Sequence, residues 1–272
     1  MAAVSDWTER HRPTSESHLE GNENQRQKIR KWLDDWKTGI PKNKAILLVG
    51  PPGVGKTTIA RAIAQDMGWN VIELNASDAR NAASIRKAAT KGATHRSLFF
   101  SPEENDKKTL ILIDEVDHLT GGLRSVSESR INDAIKVNLD NSDNVQLKGD
   151  TGGKAELLKL LAETKQPVIL ACNEVMGLWG KSSNWRSTRE RFQRLLVTIN
   201  FERASKEALR NIARRVLKAE SMDYDSDAIE AIVSNNPGDL RALVRDLQVI
   251  CSADINSIDK EILSKFTYIS SN

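Results

Sequence analysis

The stretch GPPGVGKTTIA, residues 50–60, decides the fold of this chain. Four of its residues satisfy the pattern G-x-x-x-x-G-K-[ST], namely Gly50, Gly55, Lys56 and Thr57. The apolar run AILLVG at 45–50 leads into the loop, and a helical pattern over 57–68 follows it. A buried strand, a glycine-rich loop and a helix in this order predict a phosphate-binding site at the helix N-terminus.

The residues of this loop have separable tasks in holding a nucleotide. Glycines let the backbone wrap the phosphates, and the helix N-terminus adds partial positive charge. Lys56 is expected to reach the β- and γ-phosphates, and Thr57 is expected to ligate Mg²⁺. A chance glycine turn is the alternative, but the strand before the loop and the helix after it argue against one. The nucleotide-binding residues predicted here are Gly50, Pro52, Gly53, Val54, Gly55, Lys56, Thr57 and Thr58.

A second motif, LILIDEVD at residues 110–117, supplies acidic groups. Its apolar residues predict a strand with Asp114 and Glu115 at the carboxyl end, where parallel sheets bind ligands. Asp114 is predicted to hold Mg²⁺, directly or through water, and Glu115 to polarise a water for attack on the γ-phosphate. The alternative is a pair of surface carboxylates. The Asp-Glu pair favours ATP hydrolysis over a GTP switch.

Two further residues are candidates for contact with the γ-phosphate. Asn173 ends a predicted strand, where its amide could orient the attacking water or touch the phosphate. Taken alone, an asparagine at a strand end is more often a turn residue. Arg241 begins a helix in the sequence PGDLR and by itself would be an ordinary solvated arginine. Together with the other parts, Arg241 could reach the γ-phosphate and report ATP to the helical region around it.

Strands that alternate with helices predict a parallel, five-stranded α/β sheet. The predicted strands are 45–50, 71–77, 109–117, 167–173 and 195–201. Three helical patterns without strands follow over 203–250, with Ser205 and either Asp225 or Ser226 as candidate N-terminal caps. We therefore predict a nucleotide-binding α/β domain at 1–202 and a small all-α lid domain at 203–272. A polar insertion is expected at about 120–153, with a short helix near 129–139.

The composition limits function and location. The 272 residues carry a formal net charge of only +3, so any nucleic-acid surface must be local. Cys172 and Cys251 lie in apolar sequence surroundings and are expected to be reduced. The first residues contain no apolar run of a secretory signal, and no stretch approaches the length of a membrane span. We therefore expect a cytoplasmic protein that has no membrane partner.

The order of these motifs resembles that of AAA+ P-loop ATPases, specifically the large subunits of the archaeal replication factor C clamp loader. WTERHRP at 7–13, GWNVIELNASDAR at 68–80 and GDLRALVRDLQ at 238–248 carry the resemblance beyond the phosphate loop. The resemblance implies an AAA+ fold that binds ATP and Mg²⁺, with the Asn173 strand beside the acidic strand. It also implies that Arg12, Pro13 and Asn22 lie near the adenine. Without it, the HRP sequence would be interpreted as a solvated turn.

The resemblance further implies an ATP-driven subunit that opens a sliding clamp and loads it onto primer–template DNA. Its partners would be replication factor C small subunits in a hetero-pentamer, the clamp, and DNA held by its phosphates. ATPase activity is expected to be weak in isolation, because an arginine from a small subunit would complete the site. Two alternatives stay open: another AAA+ DNA-associated ATPase, such as an initiator or junction motor, and a nucleotide-gated scaffold with little hydrolysis.

The sequence departs from the family pattern at several points. Small subunits carry Ser-Arg-Cys before the last strand, but Leu195 stands where the arginine would be, as expected for a large subunit. A weaker alternative is that a nearby arginine reaches a neighbouring subunit's ATP, as an arginine finger, from a shifted position. The candidates are Arg189, Arg191 and Arg194. Thr151 occupies a position where the family usually has arginine. The family's helical collar would follow the lid, but the sequence stops at Asn272, so we expect either a fragment or a shortened relative.

A basic segment, ASDARNAASIRKAATKGATHR at 76–96, is the predicted DNA contact. Its candidate residues are Arg80, Arg86, Lys87 and Lys91. Small residues between them would allow close approach to a phosphate backbone, so binding should be sensitive to salt and blind to sequence. On composition alone, a solvated helix face is the preferred interpretation, and the resemblance shifts the balance toward DNA.

Overall fold

The computed structural model describes residues 6–77, 81–87, 108–119, 122–140, 151–181, 183–252 and 257–258. Five parallel strands form the central sheet, in the order β2-β3-β4-β1-β5. They are β1 (Ala45–Val49), β2 (Asn70–Asn75), β3 (Thr109–Asp114), β4 (Val168–Cys172) and β5 (Leu196–Asn200). The predicted parallel five-stranded sheet is therefore confirmed, and β3 and β4 lie side by side as the resemblance implied.

The sheet is buried because helices cover both of its faces. Those of the sheet region are α2 (Glu23–Thr38), α3 (Lys56–Asp66), α4 (82–87), α5 (Glu128–Asp140), α6 (Gly153–Glu163), α7 (Val175–Trp179) and α8 (Trp185–Gln193). The first helix, α1 (Trp7–Arg10), instead packs through Trp7 in the core of the helices that follow β5. Apolar residues of α2 and α3 pack on one face of the sheet, whereas those of α6, α7 and α8 pack on the other. Alternate residues of β1 point to opposite faces of the sheet, so Ile46 packs in the core on one face and Leu47 in the core on the other.

Three helices follow β5 and share a separate apolar core. They are α9 (Lys206–Ala219), α10 (Ser226–Asn235) and α11 (Leu240–Cys251). Side chains just before each helix cap the free amides of its first turn: Ser205 for α9, Asp225 for α10 and Asp239 for α11. The caps at Ser205 and Asp225 agree with the sequence interpretation, which named Ser226 as the other option for α10. Between α9 and α10, β6 (Asp223–Tyr224) pairs with β7 (Ser257–Ile258), which follows α11 in the chain.

The short helix expected near 129–139 is present as α5, and the prediction did not include α6, α7 or α8. Part of the expected insertion, 141–150, and the segment 88–107 lie outside the described residues. Within the described part of the chain, no helix is both long and apolar enough to cross a membrane.

Candidate nucleotide-binding site

The loop between β1 and α3 has the backbone shape that a phosphate cradle requires. Gly53 and Gly55 have φ angles of 73° and 86°, in the left-handed region that glycine tolerates best. The first amides of α3 have no carbonyl one turn earlier to bond, and they are available to an anion. The loop also touches the last helix, since the Leu240 amide donates to the Gly53 carbonyl at 3.0 Å.

Lys56 lies folded over this loop. Its Nζ donates to the carbonyl oxygens of Gly50 and Pro51, both at 2.8 Å, and to Asn173 Oδ1 at 3.0 Å. Burial lowers the pKa of this ammonium group, and the nearby Asp114 carboxylate opposes that shift. A phosphate would give this desolvated cation a stronger, charged partner than the three neutral oxygens it has here.

Asp114 and Glu115 lie at the carboxyl end of β3, facing the same pocket as Lys56. Burial raises the pKa of Asp114, although its Oδ1 accepts a hydrogen bond from the Glu115 amide at 2.8 Å. A divalent cation here would offset the cost of burying the charged Asp114 carboxylate. That carboxylate and the Thr57 hydroxyl are the hard oxygen ligands that Mg²⁺ prefers. Glu115 itself has a left-handed φ of 55°, an uncommon conformation for a residue with a side chain. His118 Nδ1 lies 3.5 Å from its Oε2.

Asp117, the last residue of the acidic motif, holds the end of β4 in place, a role that the sequence did not predict. Its Oδ2 accepts hydrogen bonds from the amides of Asn173 and Glu174, at 3.0 and 3.2 Å. Its Oδ1 is buried without a partner in the described part of the chain. Gly177 is needed close by, since a Cβ there would lie 2.5 Å from the Asp117 carbonyl oxygen. Asp117 thus fixes the backbone that aims Asn173 at Lys56.

The N-terminal arm, residues 6–13, bridges the sheet and the helices α9 and α11 across the pocket. The Trp7 amide donates to Gln248 Oε1 at 3.0 Å, and His11 Nε2 lies 2.6 Å from Glu220 Oε1. On the sheet side, Arg12 donates to Thr58 Oγ1 at 3.3 Å and to Glu73 Oε1 at 3.2 Å. The arm therefore joins both walls of the cavity.

The resulting cavity has a volume of about 430 Å³ and is lined from all of these elements. The predicted site residues that line it are Arg12, Pro13, Pro52, Gly53, Gly55, Lys56, Thr57, Thr58, Asp114, Glu115, Asn173 and Arg241. Three other predicted residues lie outside this lining. Val54 is buried in the core, Gly50 packs against Phe201, and Asn22 exchanges two hydrogen bonds with the backbone of Glu202.

The comparison with protein families decides which class of protein has this arrangement. Residues 46–203, from β1 to just beyond β5, match the model of the ATPase family associated with various cellular activities (AAA). This chain belongs to the AAA family.

Curated relatives of this AAA chain include replication factor C large subunits from archaea. The one from Halobacterium salinarum is 34% identical over 250 residues, which is 92% of this chain and 44% of the relative. Those from Methanosarcina mazei and Methanococcus maripaludis are 31% and 33% identical, over 91% and 92% of this chain and 34% and 43% of theirs. The chain thus spans less than half the length of these relatives.

Among solved structures, this AAA chain has the fold of RuvB from Thermotoga maritima. A single-substitution variant of that protein aligns with a TM-score of 0.62 at 20% identity, over 95% of this chain and 72% of that one. The structure described as the Holliday junction branch migration motor aligns with a TM-score of 0.58, at 20% identity and with the same coverage. At this identity the likeness establishes the fold alone.

Only part of the predicted DNA-binding segment, 76–96, lies within the described residues. Arg80 and Lys91 lie outside the described residues, whereas Arg86 and Lys87 lie on α4. Arg86 has an intramolecular role that the sequence did not indicate, because its guanidinium donates to both carboxylate oxygens of Glu156, one at 2.8 Å, and also pairs with Glu128. This network ties α4 to α5 and α6.

Sequence reasoning also missed residues that shape the cavity. Glu73 and Arg215 line it, and burial lowers the pKa of Arg215. Asp239, whose Oδ1 accepts from the Ala242 amide at 2.9 Å, could have been found from its position just before an apolar helical run. Glu73 carries no such signal, because its partner Arg12 is remote in sequence.

Proposed function

We propose that this AAA chain binds ATP with Mg²⁺ in the cavity and hydrolyses it. The observation that carries the proposal is the convergence of four groups from three separate elements. Lys56 comes from the phosphate loop, Asp114 and Glu115 from the end of β3, and Asn173 from the end of β4, all facing one cavity. A nucleotide-binding scaffold without hydrolysis would not require the second carboxylate.

Each group has a task that its position supports. Loop amides and Lys56 bind the phosphates, and Thr57 and Asp114 would hold Mg²⁺, which supplies neutralising charge there. Glu115 accepts the proton of a water aligned for in-line attack on the γ-phosphate, and Asn173 orients that water or the phosphate. Arg12 and Pro13 would border the adenine, and Arg241 would bring the helices of residues 203–272, as a lid domain, into contact with the γ-phosphate.

We further propose that the hydrolysis drives clamp loading, with this chain as the large subunit. Support comes from the three replication factor C relatives, whose similarity extends beyond the AAA match to more than nine-tenths of this chain. Leu195 stands just before β5, so no arginine finger is offered at that position. The proposed partners are small subunits that contribute their own arginine in trans, a sliding clamp, and primer–template DNA, which Arg80, Lys87 and Lys91 would contact.

The clamp-loading proposal is tested by counting clamps on DNA. The chain, with small subunits and clamp from the same organism, is incubated with primed circular DNA and ATP, and DNA-bound clamp is separated by gel filtration. We expect clamp on the circular DNA only when this chain and ATP are both present. Equal loading by the small subunits without this chain would contradict the proposal.

A further inference from the structure

Helix α8 carries an unusual concentration of arginine on the surface. Three of its nine residues are arginines and a fourth follows as its C-terminal cap: Arg186, Arg189, Arg191 and Arg194. All four are exposed, and Glu190 is the one acidic residue of the helix. Because the whole chain has a net charge of only +3, this helix is a local positive surface rather than part of a general one.

The four α8 guanidinium groups have few partners among the residues that the structure describes. None of them forms an ion pair within the residues that the structure describes, and Arg186 lies over the Trp185 ring at 5.4 Å from its centroid. Half of the arginines described elsewhere in the chain pair with carboxylates: Arg10, Arg12, Arg26, Arg30, Arg61, Arg86 and Arg210. Arg86, one of the residues first predicted to contact DNA, is among the paired ones, whereas α8 keeps its charge available.

The inner side of α8 is firmly packed, so its outer side is presented in a fixed orientation. Thr188 and Phe192, one turn apart, are buried, and Phe192 packs against Trp179 with ring centroids 5.8 Å apart. Arginines on a rigid helix lose less conformational freedom on binding than arginines on a loop would. Among the described residues that line the nucleotide cavity, none belongs to α8, so this surface is separate from the ATP site.

We propose that these four arginines, the α8 arginine face, bind the phosphate backbone of duplex nucleic acid. From Arg186 to Arg194 the helix rises about 12 Å, a span over which one duplex strand presents roughly three or four phosphates. Guanidinium groups bind phosphates in a planar, two-pronged geometry. A protein partner fits less well, because stable protein interfaces need an apolar centre, whereas every exposed position of α8 is polar or charged.

This proposal extends the DNA contact in the proposed function but is tested without nucleotide or partner subunits. The variant R186Q/R189Q/R191Q/R194Q is compared with the wild-type chain by fluorescence anisotropy of a labelled duplex over a series of salt concentrations. A matched control, K28Q/K31Q/R214Q/K218Q, removes the same charge from four exposed residues on α2 and α9. A third variant with all four α8 arginines changed to lysine keeps the charge.

We expect the glutamine variant to bind duplex at least ~10-fold more weakly at low salt, and the slope of log K against log salt to become shallower by about 2–4. The control should lose far less, and the lysine variant should keep most of the slope. Wild-type binding too weak to detect, or equal losses in the α8 variant and the control, would overturn the proposal. So would a variant that keeps full DNA affinity and loses only its stimulation of ATP turnover in an assembly, because the face would then serve a neighbour's nucleotide.

The same measurements separate this inference from the ATPase proposal. Binding of an ATP analogue by the α8 variant should match that of the wild type, since the helix lies away from the cavity. A chain that binds duplex through α8 but hydrolyses no ATP under any condition would refute the proposed function and leave this inference standing.

Discussion

Replacing Glu115 with glutamine is expected to lower ATP turnover by roughly 10²–10⁴-fold while leaving ATP affinity within a few-fold of the wild type. The carboxylate is the group that can accept a proton from the attacking water, and an amide of the same shape cannot. In the proposed function, phosphate binding relies instead on the loop and Lys56, which the substitution does not touch. Turnover is measured as phosphate release in the presence of partner subunits and DNA, and affinity by titration with a non-hydrolysable ATP analogue.

The matched control for this experiment is Glu174→Gln. Glu174 follows the end of the neighbouring strand, is exposed, and is outside the described lining of the cavity. Its substitution should leave turnover unchanged within about two-fold, because the exposed side chain is replaced while the backbone amide that bonds Asp117 is kept. If both variants lost activity equally, or if E115Q hydrolysed ATP normally, Glu115 would not be the general base.

The second large effect is expected on binding rather than on turnover. Lys56→Met should weaken binding of the ATP analogue by on the order of 10²-fold or more, because each charged hydrogen bond to phosphate contributes roughly 1.5–3 kcal/mol. Methionine keeps most of the side-chain volume. Burial lowers the pKa of Lys56, so removing this desolvated charge should offset the loss of its hydrogen bonds to Gly50, Pro51 and Asn173 in the nucleotide-free chain.

Isothermal titration calorimetry measures the affinity, and thermal unfolding with and without the analogue checks the fold. Lys44→Met serves as the control, because Lys44 donates to the Ala162 carbonyl beyond the opposite end of β1. K56M should unfold near the wild-type temperature but gain no stability from the analogue, whereas K44M should gain as much as the wild type. A K56M variant that still bound the analogue tightly would rule out the phosphate role of this lysine.

The parts of the fold and site that the sequence predicts well are those whose signals are local. β1, its loop and α3 follow one another directly in the chain. The loop glycines, Lys56 and Thr57 are therefore recognised as a phosphate-binding motif from their own spacing. Asp114 and Glu115 are recognised in the same way, from a buried strand that ends in two acids. The helix caps at Ser205 and Asp225 also depend on neighbours a few residues away.

What the sequence could not supply depends on contacts between remote segments. That β3 pairs with β4 was expected only from the resemblance, and this pairing is what brings Asn173 to Asp117 and Lys56. Arg86 looked like a solvated or DNA-binding residue, since its partners, Glu128 and Glu156, come from helices much later in the chain. The surface of α8 needed the structure as well, because only the packing of Phe192 tells which side of the helix faces outward.

The most direct test of the ATPase account is steady-state ATP turnover by this chain alone, and then with replication factor C small subunits, sliding clamp and primed DNA. Any contribution from the small subunits' own sites is removed by using small subunits with an inactivated phosphate loop. We predict low turnover for the chain alone and a large rise with the full set, roughly 10³-fold if an arginine is supplied in trans, that disappears with E115Q. Tight ATP binding with no rise in turnover under any of these conditions would contradict the account.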